Sequence, residues 1–154
     1  MLTSDDFGYG LVSSAFRSGT TFAQLGSVET DYNLTKGTCA GGSPRYQIDL
    51  SDGTPADDVS LYVYFGTAPY GGCNPGPNYE DEIIGGTAPQ WFVFGAGNNG
   101  NTPMTYSQIL STYGSYNLLD VQIAVDGGWA QTGGDTQSVS ITNWEINGKY
   151  FFAG

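Results

Sequence analysis

Carboxylates are the only side chains of this sequence suited to acid–base catalysis. The 154-residue chain contains no histidine, which removes Ser-His-Asp catalysis, Cys-His catalysis and His-ligated zinc. Glu29 and Asp31 stand at alternate positions of a strand-like stretch, and glycoside hydrolysis needs two carboxyl groups about 5–10 Å apart. A strand motif of the form E-x-D-x-x-E would need a third acid where Leu34 stands. We therefore expect a protein that is not an enzyme, with a carboxylate-only glycoside hydrolase as the alternative.

Four aspartates fall within one short stretch and could bind a metal ion: Asp49, Asp52, Asp57 and Asp58. Carboxylate oxygens, together with backbone carbonyls of a loop, are the ligands that Ca²⁺ prefers. Their spacing does not match an EF-hand loop, and Asp52-Gly53 is also a common turn on its own. The stretch predicts calcium as a candidate cofactor, against the alternative of a solvated loop.

A second set of residues suited to ligand binding occupies alternate strand positions that would point to the same face of a sheet. Alternate positions of three strand-like stretches carry Arg45, Gln47, Asp49, Tyr62, Tyr64, Asp120 and Gln122. Rings can stack on the C–H faces of sugars, while amides and charged groups hydrogen-bond the hydroxyls. Trp129, just after a Gly-rich turn, would add a loop platform. If these strands share a sheet, the face predicts glycan binding; the alternative is an ordinary solvated face, where Tyr and Gln favour strand formation.

Period-two alternation is the pattern that positions these side chains. Apolar and polar residues alternate over 28–34, 45–50, 60–65, 119–125 and 138–142, as in strands that bury one face. In the fourth stretch the expected core residues are Leu119, Val121, Ile123 and Val125. Residues 91–94 are apolar on both faces, which predicts a central strand or one covered by a loop.

Turn and helix signals complete the fold prediction. Asn147-Gly148 between two strand-like stretches indicates a type I′ hairpin. One helix is expected over 104–113 at an end or edge of the sandwich, with Thr102 as its N-cap and Gly114 at its end. Roughly seven to nine strands predict an all-β antiparallel sandwich, or jelly roll, with one short helix.

Composition favours an extracellular protein. Four basic residues oppose fifteen acidic ones, and the net charge of −11 disfavours nucleic acid and anionic lipid as partners. No stretch approaches the roughly 18 apolar residues of a membrane span. The first residues lack the features of a signal peptide, so we interpret the chain as trimmed. Cys39 and Cys73 lie in Gly/Pro-rich sequence, which predicts a disulfide worth roughly 4 kcal/mol.

Residues 1–21 precede the sandwich domain, which we assign to residues 22–154. Residues 6–12 have strand-like content and are either the first strand of their own sheet or an arm that adds to a neighbour's open sheet edge. The second interpretation, together with a low-charge surface rich in Tyr and Gly, predicts a structural subunit that self-assembles into an extracellular filament or matrix.

Several short motifs lie between residues 22 and 152: Thr-Asp-Tyr-Asn at 30–33, Cys39, Gly-Gly-Ser-Pro-Arg-Tyr-Gln-Ile at 41–48, Tyr-Phe-Gly at 64–66, Pro69-Tyr70, Cys73, the stretch 121–129 ending in Trp129, and Ile-Asn-Gly at 146–148. Together they resemble a group of uncharacterised exported bacterial domains with the appearance of carbohydrate-binding modules and concanavalin-like sandwiches. The resemblance implies a secreted sandwich and points to glycan binding, with Arg45 and Trp129 as framework or pocket residues. An extracellular, non-catalytic module that binds polysaccharide or a cell-surface glycan is therefore the leading prediction.

Overall fold

Two antiparallel sheets and one helix form the part of the chain that the computed structural model describes, namely residues 1–4, 9–37, 43–66, 68, 72, 76–80, 83–126 and 136–152. The five-stranded sheet has the order β1 (Leu2–Ser4), β10 (Gln137–Ile146), β3 (Val28–Lys36) and β6 (Gly76–Glu80), and β11 (Lys149–Phe152) also pairs with β10. The six-stranded sheet has the order β2 (Tyr9–Ala15), β9 (Asn117–Asp126), β4 (Arg45–Ser51), β5 (Val59–Tyr64), β7 (Phe92–Gly95) and β8 (Asn98–Asn99). The chain is thus an all-β sandwich with one helix, as predicted.

The core lies between the two sheets and follows the predicted alternation. From the six-stranded sheet, Ile48, Leu61 and Val121 are fully buried, and Val28 and Tyr32 of β3 face them from the other sheet. Removing each such side chain from water contributes about 1.5–3 kcal/mol. This burial fixes which face of each strand points outward, and therefore which side chains can meet a ligand.

The start of β9 departs from the predicted alternation. Asp49 pairs with Asp120, but the next residue of β4, Leu50, pairs with Leu118, so a β-bulge leaves Leu119 without a partner position. As a result Leu118 is buried, whereas Leu119 is 45% exposed. The prediction that Leu119 is a core residue was wrong, because one extra residue in a strand reverses the parity of what precedes it.

The helix starts later than predicted. It spans Tyr106–Tyr113 (α1), and its N-cap is Thr105, whose side chain accepts the Gln108 N–H in a capping box, rather than Thr102. Met104 is not helical because its backbone N–H and C=O both pair with Trp91, at 2.8 and 3.0 Å. Gly114 ends the helix as predicted. Buried Ile109 packs the helix against the core.

The predicted hairpin and the doubly apolar stretch are both confirmed. Asn147 and Gly148 have φ of 52° and 74° and connect β10 to β11, as a type I′ turn requires. β7 lies between β5 and the two-residue β8, and both Phe92 and Val93 are buried although they lie on opposite faces. In the described part of the chain, no helix combines the length and apolar character that crossing a bilayer demands.

The N-terminal segment supplies an edge strand to each sheet. β1 pairs with β10 through three residues, and β2 pairs with β9 through seven. The two strands approach closely where Gly10 passes β1, since a Cβ at Gly10 would lie 2.9 Å from the backbone N and O of Thr3. In the single chain, these strands therefore belong to its own sheets. Residues 5–8, which include part of the predicted 6–12 strand, lie outside the described residues.

Candidate ligand-binding surfaces

The residues predicted to share one sheet face, from their alternate positions in three strands, do lie on one outer surface. We call this surface the six-stranded face; its predicted members are Arg45, Gln47, Asp49, Tyr62, Tyr64, Asp120 and Gln122. Gln47 is flanked by Tyr62 and Gln122, and Asp49 is flanked by Ser60 and Asp120. A shallow depression of about 320 Å³ on this face is lined by Leu11, Arg45, Gln47, Tyr62, Gln122, Ala124 and Asp126. The prediction of a shared face is therefore confirmed, whereas ligand binding there stays a prediction.

Two carboxylates on the six-stranded face are held by amides and a hydroxyl. Gln122 Nε2 donates to Asp49 Oδ2 at 3.1 Å and to Asp120 Oδ2 at 2.9 Å, and Ser60 Oγ donates to Asp49 Oδ1 at 2.6 Å. Burial and the neighbouring Asp49 charge raise the pKa of Asp120, and the hydrogen bond from Gln122 partly offsets the rise. The polar groups here largely satisfy one another.

The aromatic rings of this face pack within the protein. The Arg45 guanidinium lies 4.4 Å from the Tyr62 ring centroid and binds Asp126 at 3.3 Å, while Phe94 contacts the Tyr62 ring at 4.6 Å. Tyr64 is only 8% exposed. The sugar-binding prediction relied on flat aromatic rings at this face. Phe92 of β7 covers the Tyr64 ring, whereas Tyr62, which contacts Phe94, is half-buried and lines the depression.

The four aspartates of the predicted calcium site do not converge. Asp49 lies on the six-stranded face, Asp52 accepts the Thr54 N–H within its own turn, and Asp57 ends a short 3₁₀ turn before Asp58. Within the described residues, no three Asp, Glu, Cys or His side chains are arranged to hold a metal ion. A calcium site formed by these four residues is therefore not supported, because Asp49 is bound on the sheet face whereas Asp52 is held within its turn.

Three predicted residues lie outside the part of the chain that the structure describes: Cys39, Cys73 and Trp129. The disulfide and the loop platform therefore stay predictions from the sequence.

A larger groove crosses the outer surface of the five-stranded sheet. We call it the Tyr79 groove; it measures about 590 Å³ and is lined by Asp31, Tyr32, Asn33, Pro77, Asn78, Tyr79, Ser140 and Thr142. Strand register explains its composition, because Asp31 lies between Thr142 and Tyr79 in one row, and Asn33 lies between Ser140 and Pro77 in the next. Short polar side chains thus form the floor beside one large ring.

The Tyr79 ring is exposed yet held in place. The side chain is 54% exposed, and its hydroxyl donates to Glu29 Oε2 at 2.6 Å. Asp31 Oδ2 accepts from Asn143 Nδ2, also at 2.6 Å, and Asn143 has a φ of 50° within the irregular part of β10. These charge-assisted hydrogen bonds are stronger than neutral ones and restrict the ring and the carboxylate before any ligand arrives.

A second exposed tyrosine, Tyr150 of β11, lies on the same sheet but outside the groove. It is 59% exposed, and hydrogen bonding to the Glu145 carboxylate, together with its charge, raises the pKa of Tyr150. On the core side of β3, beneath the groove, burial and the charge of Glu80 raise the pKa of Tyr32 to about 12. Tyr32 is therefore a neutral structural residue at any physiological pH.

Sequence reasoning missed the groove because it missed one of its strands. The alternation of Glu29, Asp31 and Asn33 was visible, but β6 lies in a Gly/Pro-rich stretch that reads as a loop. Pro77 is tolerated because β6 is an edge strand, where a residue without an N–H need not break a ladder. Residues 76–80 show no alternation of apolar and polar types, so the sequence carried no signal for this strand.

Comparisons of the chain with known protein families, with curated proteins and with solved structures found no match.

Proposed function

We propose that this protein is an extracellular, non-catalytic module that binds a glycan in the Tyr79 groove. The observation that carries the proposal is the exposed Tyr79 ring, fixed by its hydrogen bond to Glu29 beside a row of short polar side chains. The extracellular location rests on the composition of the chain and on the predicted disulfide.

The chemistry of the groove suits a sugar polymer. An aromatic ring offers an apolar platform for C–H groups, while Asp31, Asn33 and Thr142 offer acceptors and donors for hydroxyls. A volume of about 590 Å³ is within the usual range for ligand sites of roughly 300–1,000 Å³. The groove spans three adjacent strands, β10, β3 and β6, so it can accommodate several linked units.

Charge narrows the ligand class to uncharged glycans. Glu29 and Asp31 both carry carboxylates at the groove, and the whole chain carries a net charge of −11. A uronate or sulfated polymer would meet like charge, which costs binding energy and slows association. Neutral polysaccharides are therefore the first ligands to test.

Calorimetric titration with soluble neutral polysaccharides tests the site. Tyr79→Ala should weaken binding about tenfold or more, since loss of a central aromatic contact costs at least about 1.4 kcal/mol. Tyr79→Phe keeps the ring and should remain within a few-fold of the parent. Leu119→Ala is the control, because it removes an exposed side chain of the other sheet, outside the groove.

Each outcome of this titration assigns the site. Unchanged affinity in Tyr79→Ala rejects the groove. Loss of binding in Tyr62→Ala with retention in Tyr79→Ala would instead locate the site on the six-stranded face. No binding by the parent chain to any neutral or acidic glycan rejects the function itself.

A hydrolase using Glu29 and Asp31 is separated from a binding module by one further assay. Both carboxylates accept hydrogen bonds at 2.6 Å from Tyr79 and Asn143, which supports a role in holding the groove. Incubation with a β-glucan panel should therefore release no new reducing ends. Release that disappears in Asp31→Asn would establish catalysis.

A further inference from the structure

The described residues of the N-terminal segment, 1–4 and 9–15, supply edge strands to both sheets at the same side of the sandwich. We call residues 1–15 the N-terminal arm. It contributes β1 to the edge of the five-stranded sheet and β2 to the edge of the six-stranded sheet. Its partners lie far along the chain, from Leu2 opposite Val139 to Ala15 opposite Asp120. The arm is thus held by long-range edge pairing.

The contacts of the arm could be made equally well by an identical arm. β2 binds β9 through a ladder of seven residues, which consists of backbone groups present in every copy. β1 adds three more, beside a surface depression of about 220 Å³ lined by Met1, Leu2, Val12 and Ile141. The β9 and β10 edges that remain without the arm would be open templates for another strand.

The connection between the arm and the sandwich has the form of a hinge. Residues 17–19 are exposed, and Thr20 N–H bonds Arg17 C=O at 3.0 Å to form a tight turn. Gly19 has a φ of 87° in this turn, and nothing lies within 4 Å of where its Cβ would be. Beyond the turn, Leu118 N–H bonds Thr20 C=O at 2.7 Å and fixes the chain to β9. Release of β1 and β2 requires this turn to open and their two ladders, together with the Phe16 N–H bond to Leu119 C=O, to break.

We propose that the N-terminal arm is exchanged between copies of this chain, so that β1 and β2 of one copy complete the two sheets of another. Exchange of an identical element needs no new interface and replaces each lost contact by its equivalent. A tethered arm has an effective concentration in the millimolar range. Exchanged dimers should therefore hold about half of the protein after refolding at roughly 1 mM, but about one fiftieth at roughly 10 µM.

The hinge gives a sharp test of this proposal. Gly19→Val disfavours the φ of 87° without a steric clash, so it favours the open arm. The equilibrium constant for exchange should rise about five- to thirtyfold, and the exchanged fraction at a fixed concentration should rise with it. Gly53→Val is the matched control, because Gly53 also has a positive φ of 101° and open space at its Cβ but lies in a turn away from the arm. Size-exclusion chromatography with light scattering after refolding measures the fraction.

A cysteine pair identifies the arm as the exchanged element. Thr3 and Ser138 are register partners with their hydroxyl oxygens 3.3 Å apart. A Thr3→Cys chain refolded at high concentration with a Ser138→Cys chain of different mass should give a disulfide between the two chains, above the level in either variant alone. Thr3→Cys/Ser138→Cys in one chain serves as the positive control for the geometry.

The results can overturn the proposal in two ways. Monomers alone for both the parent chain and Gly19→Val after refolding at high concentration exclude exchange. Aggregation by another route is shown if three results occur together. Oligomers form equally in Gly53→Val, the Thr3→Cys and Ser138→Cys chains form no disulfide with each other, and the double variant closes its disulfide within one chain. Glycan binding does not enter either readout, so the two proposals fail independently.

Discussion

Substitution of Asn147 should destabilise the sandwich more than a turn residue usually does. Besides adopting the positive φ of the hairpin turn, its side chain connects that turn to the segment before β3. Oδ1 accepts the backbone N–H groups of Gly26 and Ser27, at 2.5 and 3.1 Å, and Nδ2 donates to Gln24 C=O at 3.1 Å. Three hydrogen bonds therefore join two parts of the chain that are more than a hundred residues apart.

The expected loss of unfolding free energy has two parts, the three side-chain hydrogen bonds and the left-handed backbone conformation of residue 147. Asn147→Gly retains a residue that tolerates the φ of 52° and loses the three side-chain hydrogen bonds. At about 0.5–1 kcal/mol each for partly solvated bonds, we expect a loss of about 1.5–3 kcal/mol. Asn147→Ala should lose about 1–2 kcal/mol more, because alanine disfavours left-handed backbone. Asn147→Asp keeps both acceptor contacts and should lose the least.

Urea unfolding followed by tryptophan fluorescence measures this series. The expected order of stability is parent, Asp, Gly and then Ala at position 147, with unchanged m-values. An Asn147→Gly protein within about 0.5 kcal/mol of the parent would refute the reasoning, because it would show that the side-chain bonds to Gly26, Ser27 and Gln24 add nothing net. Equal stability of Gly and Ala variants would refute only the conformational part.

Three further predictions concern other parts of the fold. Asp120→Asn should stabilise the protein at pH 7 by about 0.2–1 kcal/mol, because it removes a like charge beside Asp49. Because folding raises the pKa of Asp120, this gain in stability should shrink as the pH falls through the folded pKa and vanish below 3.8. Urea unfolding at several pH values measures the gain, and a gain that does not change with pH would contradict this prediction. Gly100→Ala should lower the thermal midpoint, because its Cβ would lie 2.1 Å from Phe94 Cζ, and an unchanged midpoint in calorimetry would show that the ring yields freely. The pKa of Tyr32 is about 12 in the folded protein, so above pH 10 the unfolded chain loses the Tyr32 proton more readily than the folded chain does. The free energy of unfolding should therefore fall between pH 10 and 12, and Tyr32→Phe should make this decrease smaller.

Local alternation predicted the sandwich and the six-stranded face because each long strand buries one side. β4 and β5 follow a strict period of two, so Gln47 and Tyr62 were placed on the correct surface. The alternation could not show whether a ring on that surface is covered. Phe94, which packs on Tyr62, belongs to a stretch whose two apolar faces gave no outward direction.

The remaining errors have specific physical origins. Leu119 was misplaced because a bulge is set by cross-strand pairing, which a single strand does not encode. The helix start was misplaced because Met104 pairs with Trp91, a contact between distant segments. The Tyr79 groove was missed because edge strands tolerate proline and glycine, and so resemble loops in sequence.

The distribution of primary amines has a practical consequence for measuring any ligand. The sequence contains two lysines, Lys36 at the end of β3 and Lys149 at the start of β11, and both are exposed. The two lysines lie near opposite ends of β3, since Lys36 pairs with Ser138, whereas Lys149 pairs with Ile146, the partner of Val28. Neither lysine lines the Tyr79 groove, so amine coupling to a sensor surface would attach the protein at either end of the five-stranded sheet and leave the groove open. A glycan that binds in the Tyr79 groove in free solution should therefore also bind to amine-coupled protein.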